Sequence, residues 1–195
     1  DQAGCYQNIG NALDEMAKYE EAMAKQEQAL AVYQTIKGTE RDQAGCYQNI
    51  GNALDEMAKY EQAIAKQEQA LAIYQTIKGT ERDQAGCYVN IGVTLGNLAK
   101  YEQAIANYER ALALFKTIQG TEREQARCSQ NIGEALRQMT KYEEAIAKQE
   151  QALAQGTAEE AKALLDRGVD AYSAGDPATA IQAWTRALEI YQTIK

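Results

Sequence analysis

The stretch Tyr47-Gln48-Asn49-Ile50-Gly51-Asn52-Ala53-Leu54 decides the fold, because the same eight residues stand at 6 to 13 and edited versions return at 88 and 129. Tyr47, Ile50, Gly51 and Leu54 fall at i, i+3, i+4 and i+7, the apolar stripe of an amphipathic α-helix. Asn49 and Asn52 share a different face. One side of this helix is made to pack, and the other can be read by a partner.

Working outward, Gly10, Gly51, Gly92 and Gly133 are equally spaced at a period of 41, and residues 1–41 differ from 42–82 only at Glu21/Gln62, Met23/Ile64 and Val32/Ile73. A period of this length means a linear array rather than a globule around one central core. Within a unit, a first helix is expected from about Asp42 to Ala58. A second runs from about Tyr60 to Lys78, on the stripe Tyr60, Ala63, Ile64, Ala70, Leu71, Tyr74 and Ile77. Each unit is therefore a helical hairpin. Gly79 closes the second helix as a residue that tolerates positive φ, and Thr80 with Asp83 forms a capping box for the next; Gly38-Thr39 and Gly120-Thr121 repeat the device.

The fourth unit is shorter, since Ala154 runs directly into Gln155-Gly156-Thr157. Thr157 with Glu160 reads as another capping box. Gly175-Asp176-Pro177 reads as a turn, an N-cap and a first helical proline ahead of the stripe Ile181, Trp184, Ala187, Leu188 and Tyr191. The expected organisation is one array of hairpins at 1–41, 42–82, 83–123, 124–156 and 157–195.

These residues resemble the tetratricopeptide repeat family. Gly168, Ala180, Trp184, Ala187 and Leu188 stand at the family's spacing in the fifth unit, as do Ile50, Gly51, Leu54, Tyr60, Ala63, Ala70 and Leu71 in the second. The longer period with a Gly-x-x-Arg junction (Gly79 to Arg82) is similar to the extended subclass of kinesin light chains, Pins/LGN-type adaptors, bacterial Rap regulators and cyanobacterial arrays. The resemblance implies an all-α fold, an α-solenoid of five helix-turn-helix hairpins in a right-handed superhelix. Two features depart from the family pattern. Gln26, Gln67 and Gln149 occupy the position of a large aromatic that Tyr108 and Trp184 keep, and the proline that closes the standard unit is missing.

Composition narrows the function. An apolar share of 45% without a run long enough to span a bilayer predicts a soluble chain. A net charge of −8 with no basic tract argues against nucleic acid and anionic membranes as partners, and favours a protein partner with basic segments. With no histidine, the commonest general base and zinc ligand are both missing, and no phosphate loop or catalytic triad is present, so no enzyme, cofactor or metal is expected. Cys5, Cys46, Cys87 and Cys128 recur at the array period, too far apart for disulfides or a shared metal. They read as small buried apolar residues, reduced as in a cytoplasmic-type compartment.

The candidate site is the carboxamide series. Asn8, Asn49, Asn90 and Asn131 recur at one helix position with Asn11 and Asn52 one turn along, although asparagine is a poor helix former. The resemblance implies that this face lines a concave groove, and a carboxamide can pair with both the C=O and the N–H of an extended peptide. Selectivity is expected where copies differ: Val89, Val93, Gly96 and Asn97 form an apolar floor in the third unit, while Arg127 and Arg137 add positive charge in the fourth. Such a groove selects a peptide that is basic, then apolar, then acidic. The alternatives are a bridging role for the asparagines between repeats and, for the whole chain, a structural module that stacks without a ligand. The final Tyr191-Gln192-Thr193-Ile194-Lys195 matches Tyr33 to Lys37, which predicts head-to-tail contacts between array ends.

Overall fold

The computed structural model describes residues 2–193, excluding the side chains of 145, 150–156 and 193. Its helices are α1 (Gln2–Glu15), α2 (Tyr19–Tyr33), α3 (Glu40–Glu56), α4 (Tyr60–Tyr74), α5 (Glu81–Asn97), α6 (Tyr101–Lys116), α7 (Glu122–Ser173) and α8 (Pro177–Thr193), and no strand occurs among the described residues. Two compact units are present, residues 1–139 and 140–195. In the first, α1 packs on α2, α3 on α4 and α5 on α6, while α2 meets α3 and α4 meets α5, so each hairpin also touches the next. The architecture is the all-α solenoid expected from the repeats. None of the described helices is long and apolar enough to cross a membrane.

Small residues make the close packing possible. Ala44, Ala63, Ala70, Ala85, Ala104 and Ala111 have no exposed surface, and Leu71, Tyr74, Val89, Ile91, Leu95, Tyr108 and Phe115 fill the space between them. The repeated glycine has the same purpose. A Cβ at Gly10 or Gly51 would lie 2.7 Å from the Nε2 of Gln26 or Gln67, and one at Gly92 would lie 2.6 Å from the Tyr108 ring. Cys46, Cys87 and Cys128 are buried free thiols as expected, whereas Cys5 is exposed, because no described hairpin covers that face of α1.

Two kinds of turn set the chain direction. Inside each hairpin one residue adopts the left-handed conformation: Ala17, Ala58 and Ala99 have φ of 54°, 55° and 55°. There the N–H of Lys59 donates to the Leu54 carbonyl at 2.9 Å and that of Ala58 to Asp55 at 2.8 Å, closing the end of α3. Between hairpins Gly38, Gly79 and Gly120 carry the positive φ, at 82°, 79° and 74°.

The threonines after those glycines depart from the capping-box expectation. Thr39 and Thr80 make no side-chain cap hydrogen bond. The Thr80 hydroxyl instead donates back to the carbonyls of Tyr74 (2.6 Å) and Ile77 (2.8 Å) and accepts from Gln84 Nε2 at 3.2 Å. Thr121 repeats this pattern on Phe115 and Ile118. The hydroxyl has one proton, and the buried carbonyls that end the preceding helix claim it.

The larger departure is α7. The repeat pattern places a turn near Thr140 and another at Gln155-Gly156-Thr157, with hairpin boundaries at 124–156 and 157–195, yet Glu122–Ser173 is one helix. Thr157 and Glu160 therefore lie inside a helix rather than at its start. Two sequence differences account for this. Position 140 is threonine where the other turns have Ala17, Ala58 and Ala99, and a β-branched residue is strongly disfavoured at positive φ. The residue six places before Thr157 is Gln151, whereas Thr39, Thr80 and Thr121 bond to Tyr33, Tyr74 and Phe115 at the same separation.

The second unit ends as the sequence predicts. Gly175 has φ 83°, Asp176 Oδ1 accepts the N–H of Thr179 at 3.1 Å, and Pro177 opens α8. Trp184 lies over Gly168, donates from Nε1 to the Leu165 carbonyl at 3.3 Å and meets the Tyr172 ring at a centroid distance of 5.9 Å. Residues Ile194 and Lys195, part of the predicted end match, lie outside the described residues.

Candidate functional site

Three hollows open along one face of the first unit, and the carboxamide series runs through them. The first, about 270 Å³, is lined by Asn11, Asp14, Glu15, Gln26, Asn49 and Asn52 among others. The next, about 300 Å³, involves Asn52, Asp55, Glu56, Gln67, Asn90 and Val93. The third is the most spacious at about 530 Å³, and its walls include Val93, Gly96, Asn97, Tyr101, Tyr108, Asn131 and Gln138. Amphipathic periodicity places these residues together, since α3 and α5 bury the stripes Ile50-Gly51-Leu54 and Ile91-Gly92-Leu95 and turn the neighbouring Asn positions toward the hollows.

The asparagines also bond to one another across repeats. Asn49 Nδ2 donates to Asn11 Oδ1 at 3.0 Å, and Asn90 Nδ2 to Asn52 Oδ1 at 3.0 Å. Each acceptor takes a second hydrogen bond from its own hairpin, from Gln26 at 2.8 Å and from Gln67 at 2.7 Å. Gln26 and Gln67 further donate to the backbone carbonyls of Gln7 and Gln48. The bridging alternative is thus realised for Asn11, Asn49, Asn52 and Asn90, which line the hollows at the same time.

The ladder stops in the third repeat. Val93 stands where Asn11 and Asn52 do, so Asn131 meets no carbonyl at that point, and no side-chain hydrogen bond is found for it among the described residues. Tyr108 replaces the buried glutamine there, and Gly96 replaces Asp55, with no atom within 4 Å of where its Cβ would be. Together these changes produce a wider and more apolar hollow. Asn97 remains tied to the previous repeat through Asp55 at 3.4 Å.

The remaining expected site residues are placed elsewhere. Val89 is a correction: at 3% exposure it belongs to the core, because its helix position faces the adjacent hairpin and not the groove. Asn8 and Arg127 are exposed and line none of these hollows. Arg137 is also exposed, but its Nε donates to Glu134 Oε2 at 2.8 Å, so the basic patch is offset locally.

The electrostatics are acceptor-rich. The buried Oε1 atoms of Gln26 and Gln67 and the buried Oδ1 atoms of Asp14 and Asp55 have no hydrogen-bond donor. Partial burial, then the neighbouring Glu15 charge, raises the Asp14 carboxyl above its usual range. Burial foremost pushes Tyr108 up to about 12, with Cys128 and Asp55 adding to the shift, so it stays a neutral phenol. No cluster of His, Cys, Asp or Glu able to hold a metal occurs among the described residues.

Gln26, Gln67, Tyr101, Tyr108 and Asp14 were not among the residues expected to form the site. A signal for the buried ones exists in the sequence: Gly10, Gly51 and Gly92 are followed 16 residues later by Gln26, Gln67 and Tyr108, which pack on them.

The family model for the tetratricopeptide repeat matches residues 2–76 and 83–158. The apo form of RapI superposes with a TM-score of 0.66 at 13% identity, over 99% of this chain and 84% of that one. BtubC (BKLC) from P. vanneervenii gives a TM-score of 0.60 at 22% identity, over 95% of this chain and 78% of its own. At such identities the likeness concerns the fold. No curated protein matches the sequence.

Proposed function

The chain belongs to the tetratricopeptide repeat family, and from that premise we propose that its first unit holds an extended protein segment along the three hollows. Repeats of this family mediate protein–protein interaction and typically act as non-enzymatic scaffolds. The observation that carries the finer reading is the interruption of the carboxamide ladder at Val93, which leaves Asn131 at the edge of a hollow of about 530 Å³, the least polar of the three.

In this reading an apolar side chain of the partner enters between Val93, Tyr101 and Tyr108, while Asn131 pairs with the partner's backbone. A basic residue nearby meets Asp14, Glu15, Asp55 and Glu56, whose acceptors dominate the first two hollows. The Arg137–Glu134 pair weakens the case for an acidic third element. Charge complementarity of this kind speeds encounter and fades with salt.

The test is a fluorescent peptide array in which Lys or Arg precedes Leu, Ile or Phe by varied spacers. Peptides with both features are expected to bind, and Gly96→Leu, whose Cβ meets open space and whose side chain occupies part of the third hollow, should abolish binding while leaving helicity intact. Asn131→Ala should weaken binding by roughly 2- to 10-fold, the equivalent of one net hydrogen bond. Binding indifferent to Gly96→Leu, or no binding by any charge-and-apolar peptide, would overturn the reading.

A further inference from the structure

Within the first unit the buried oxygens that lack a protein donor come as two equivalent pairs, Gln26 Oε1 with Asp14 Oδ1 and Gln67 Oε1 with Asp55 Oδ1. The first pair lines the hollow of about 270 Å³ and the second that of about 300 Å³. Buried acceptors are nearly always paired, so an exception that repeats with the array needs a cause. The glutamines are 2% and 1% exposed, and their own hydrogen bonds fix which end is oxygen. Gln67 Nε2 donates to the Gln48 carbonyl at 3.0 Å and to Asn52 Oδ1 at 2.7 Å, and Gln26 Nε2 does the same on Gln7 and Asn11. Both amide protons are used, and Oε1 is left as an acceptor on the wall of the hollow.

We propose that the first two hollows are equivalent sites for alkylammonium groups, each held between the glutamine carbonyl and the aspartate carboxylate of one repeat.

Spacing and chemistry select this ligand. The Gln67 amide lies over Gly51, its Cδ 3.1 Å from where a Cβ would be, and Asp55 is one helical turn further along α3. Helix neighbours at that separation stand about 5–6 Å apart, a gap that an ammonium bridges by donating at about 2.7–2.9 Å to an oxygen on each side. Gly10, Asp14 and Gln26 repeat the arrangement on α1. An ammonium has three N–H donors and no acceptor, which suits walls made of acceptors. No Lys or Arg among the described residues forms an ion pair with Asp14 or Asp55. In the third repeat Tyr108 and Gly96 replace Gln67 and Asp55, so both acceptors are lost together, as expected of a pair with one task.

The inference deepens the segment-binding reading and rests on it for one source of the ammonium, a lysine of the bound segment; a free polyamine shares the chemistry. Adjacent helices pack roughly 8–10 Å apart, so one molecule with two ammonium groups at that spacing can engage both hollows.

NMR of the full chain, following the side-chain amide signals of Gln26 and Gln67, tests this with n-butylammonium and with tetramethylammonium, which has the same charge and no N–H. Butylammonium should shift both signals saturably and tetramethylammonium neither. Asp55→Asn should weaken binding at Gln67 by roughly tenfold or more, the loss of a hydrogen bond to a charged group, and leave binding at Gln26 unchanged. Gln67→Tyr, which installs the third repeat's own residue and so guards against a folding defect, should abolish the second site as read at the Gly51 backbone amide. Equal shifts by the two cations, or indifference to both substitutions, would overturn the proposal. Heptamethylenediamine and an extended peptide with two lysines on one side separate the sources: whichever binds more tightly at the two glutamines names a free polyamine or a protein segment. Ammonium shifts without binding by any peptide of the array would keep these sites and sink the segment reading, whereas peptide binding that moves neither glutamine signal would do the reverse.

Discussion

The second hairpin and the first two-thirds of α7 have nearly the same words in their sequences and different fates. Tyr60 follows a turn at Ala58 and starts a new helix, while Tyr142 follows Thr140 within a continuing one. Gly51 lies under Gln67, and Gly133 has nothing within 4 Å of its Cβ position. The contrast teaches that the apolar stripes give each segment the capacity to pair. One backbone position then determines whether the chain turns, as at Ala58, or continues as helix, as at Thr140.

The sharpest way to break this comparison is to shave the same side chain in both places. Leu54→Ala should lower unfolding free energy by roughly 2–5 kcal/mol, as for other buried leucines. Leu136→Ala, at a position 46% exposed, should cost less than about 1 kcal/mol in guanidinium unfolding. Equal losses would mean that the two faces are equally covered.

A smaller effect with opposite signs comes from the glycines. Gly92→Ala forces a methyl against the Tyr108 ring, and overpacking of this kind costs about 1–3 kcal/mol. Gly133→Ala meets open space and should stabilise the protein by about 0.5–1 kcal/mol through helix propensity alone. Thermal melts of the pair read both directly, and a destabilised Gly133→Ala would show that something packs on that position.

Least in magnitude is the thiol chemistry, which compares the exposed first repeat with the covered ones. Near neutral pH a thiol reagent should label Cys5 quickly, and Cys46, Cys87 and Cys128 only after unfolding. Burial foremost raises Cys46 to about 11 and Cys87 to about 12 from an ordinary 9.0, with Asp42 and Asp83 respectively adding to the effect. The unfolded chain therefore loses these protons first. The thiols' contribution to stability is complete below pH 9 and should decline as pH rises toward 11 to 12. A urea midpoint that stays flat across that window would contradict the burial of these groups.

The groove was partly legible in the sequence. Asn11, Asn49, Asn52, Asn90, Val93, Asn97 and Asn131 were singled out by recurrence or by departure from it, and all line the three hollows. Recurrence could not tell a side chain that awaits a partner from one already bonded to its neighbour, because both are copied at the same spacing. Val89 shows the related limit: a substitution one turn from Val93 looks equivalent on a helical wheel, but the adjacent hairpin covers one and not the other. Gln26 and Gln67 looked like weak replacements for an aromatic ring, yet they are buried and hydrogen-bonded.

By itself the sequence determined the helical period, the places where glycine permits a turn, and the absence of histidine chemistry, all of which depend on residue type and local spacing. Tertiary structure alone decided which carboxamides pair across repeats, where the threonine hydroxyls donate, and that α7 continues through Thr140. Those outcomes rest on competition: each donor has several acceptors within reach, and a turn forms only when the contacts it allows outweigh the strain of making it.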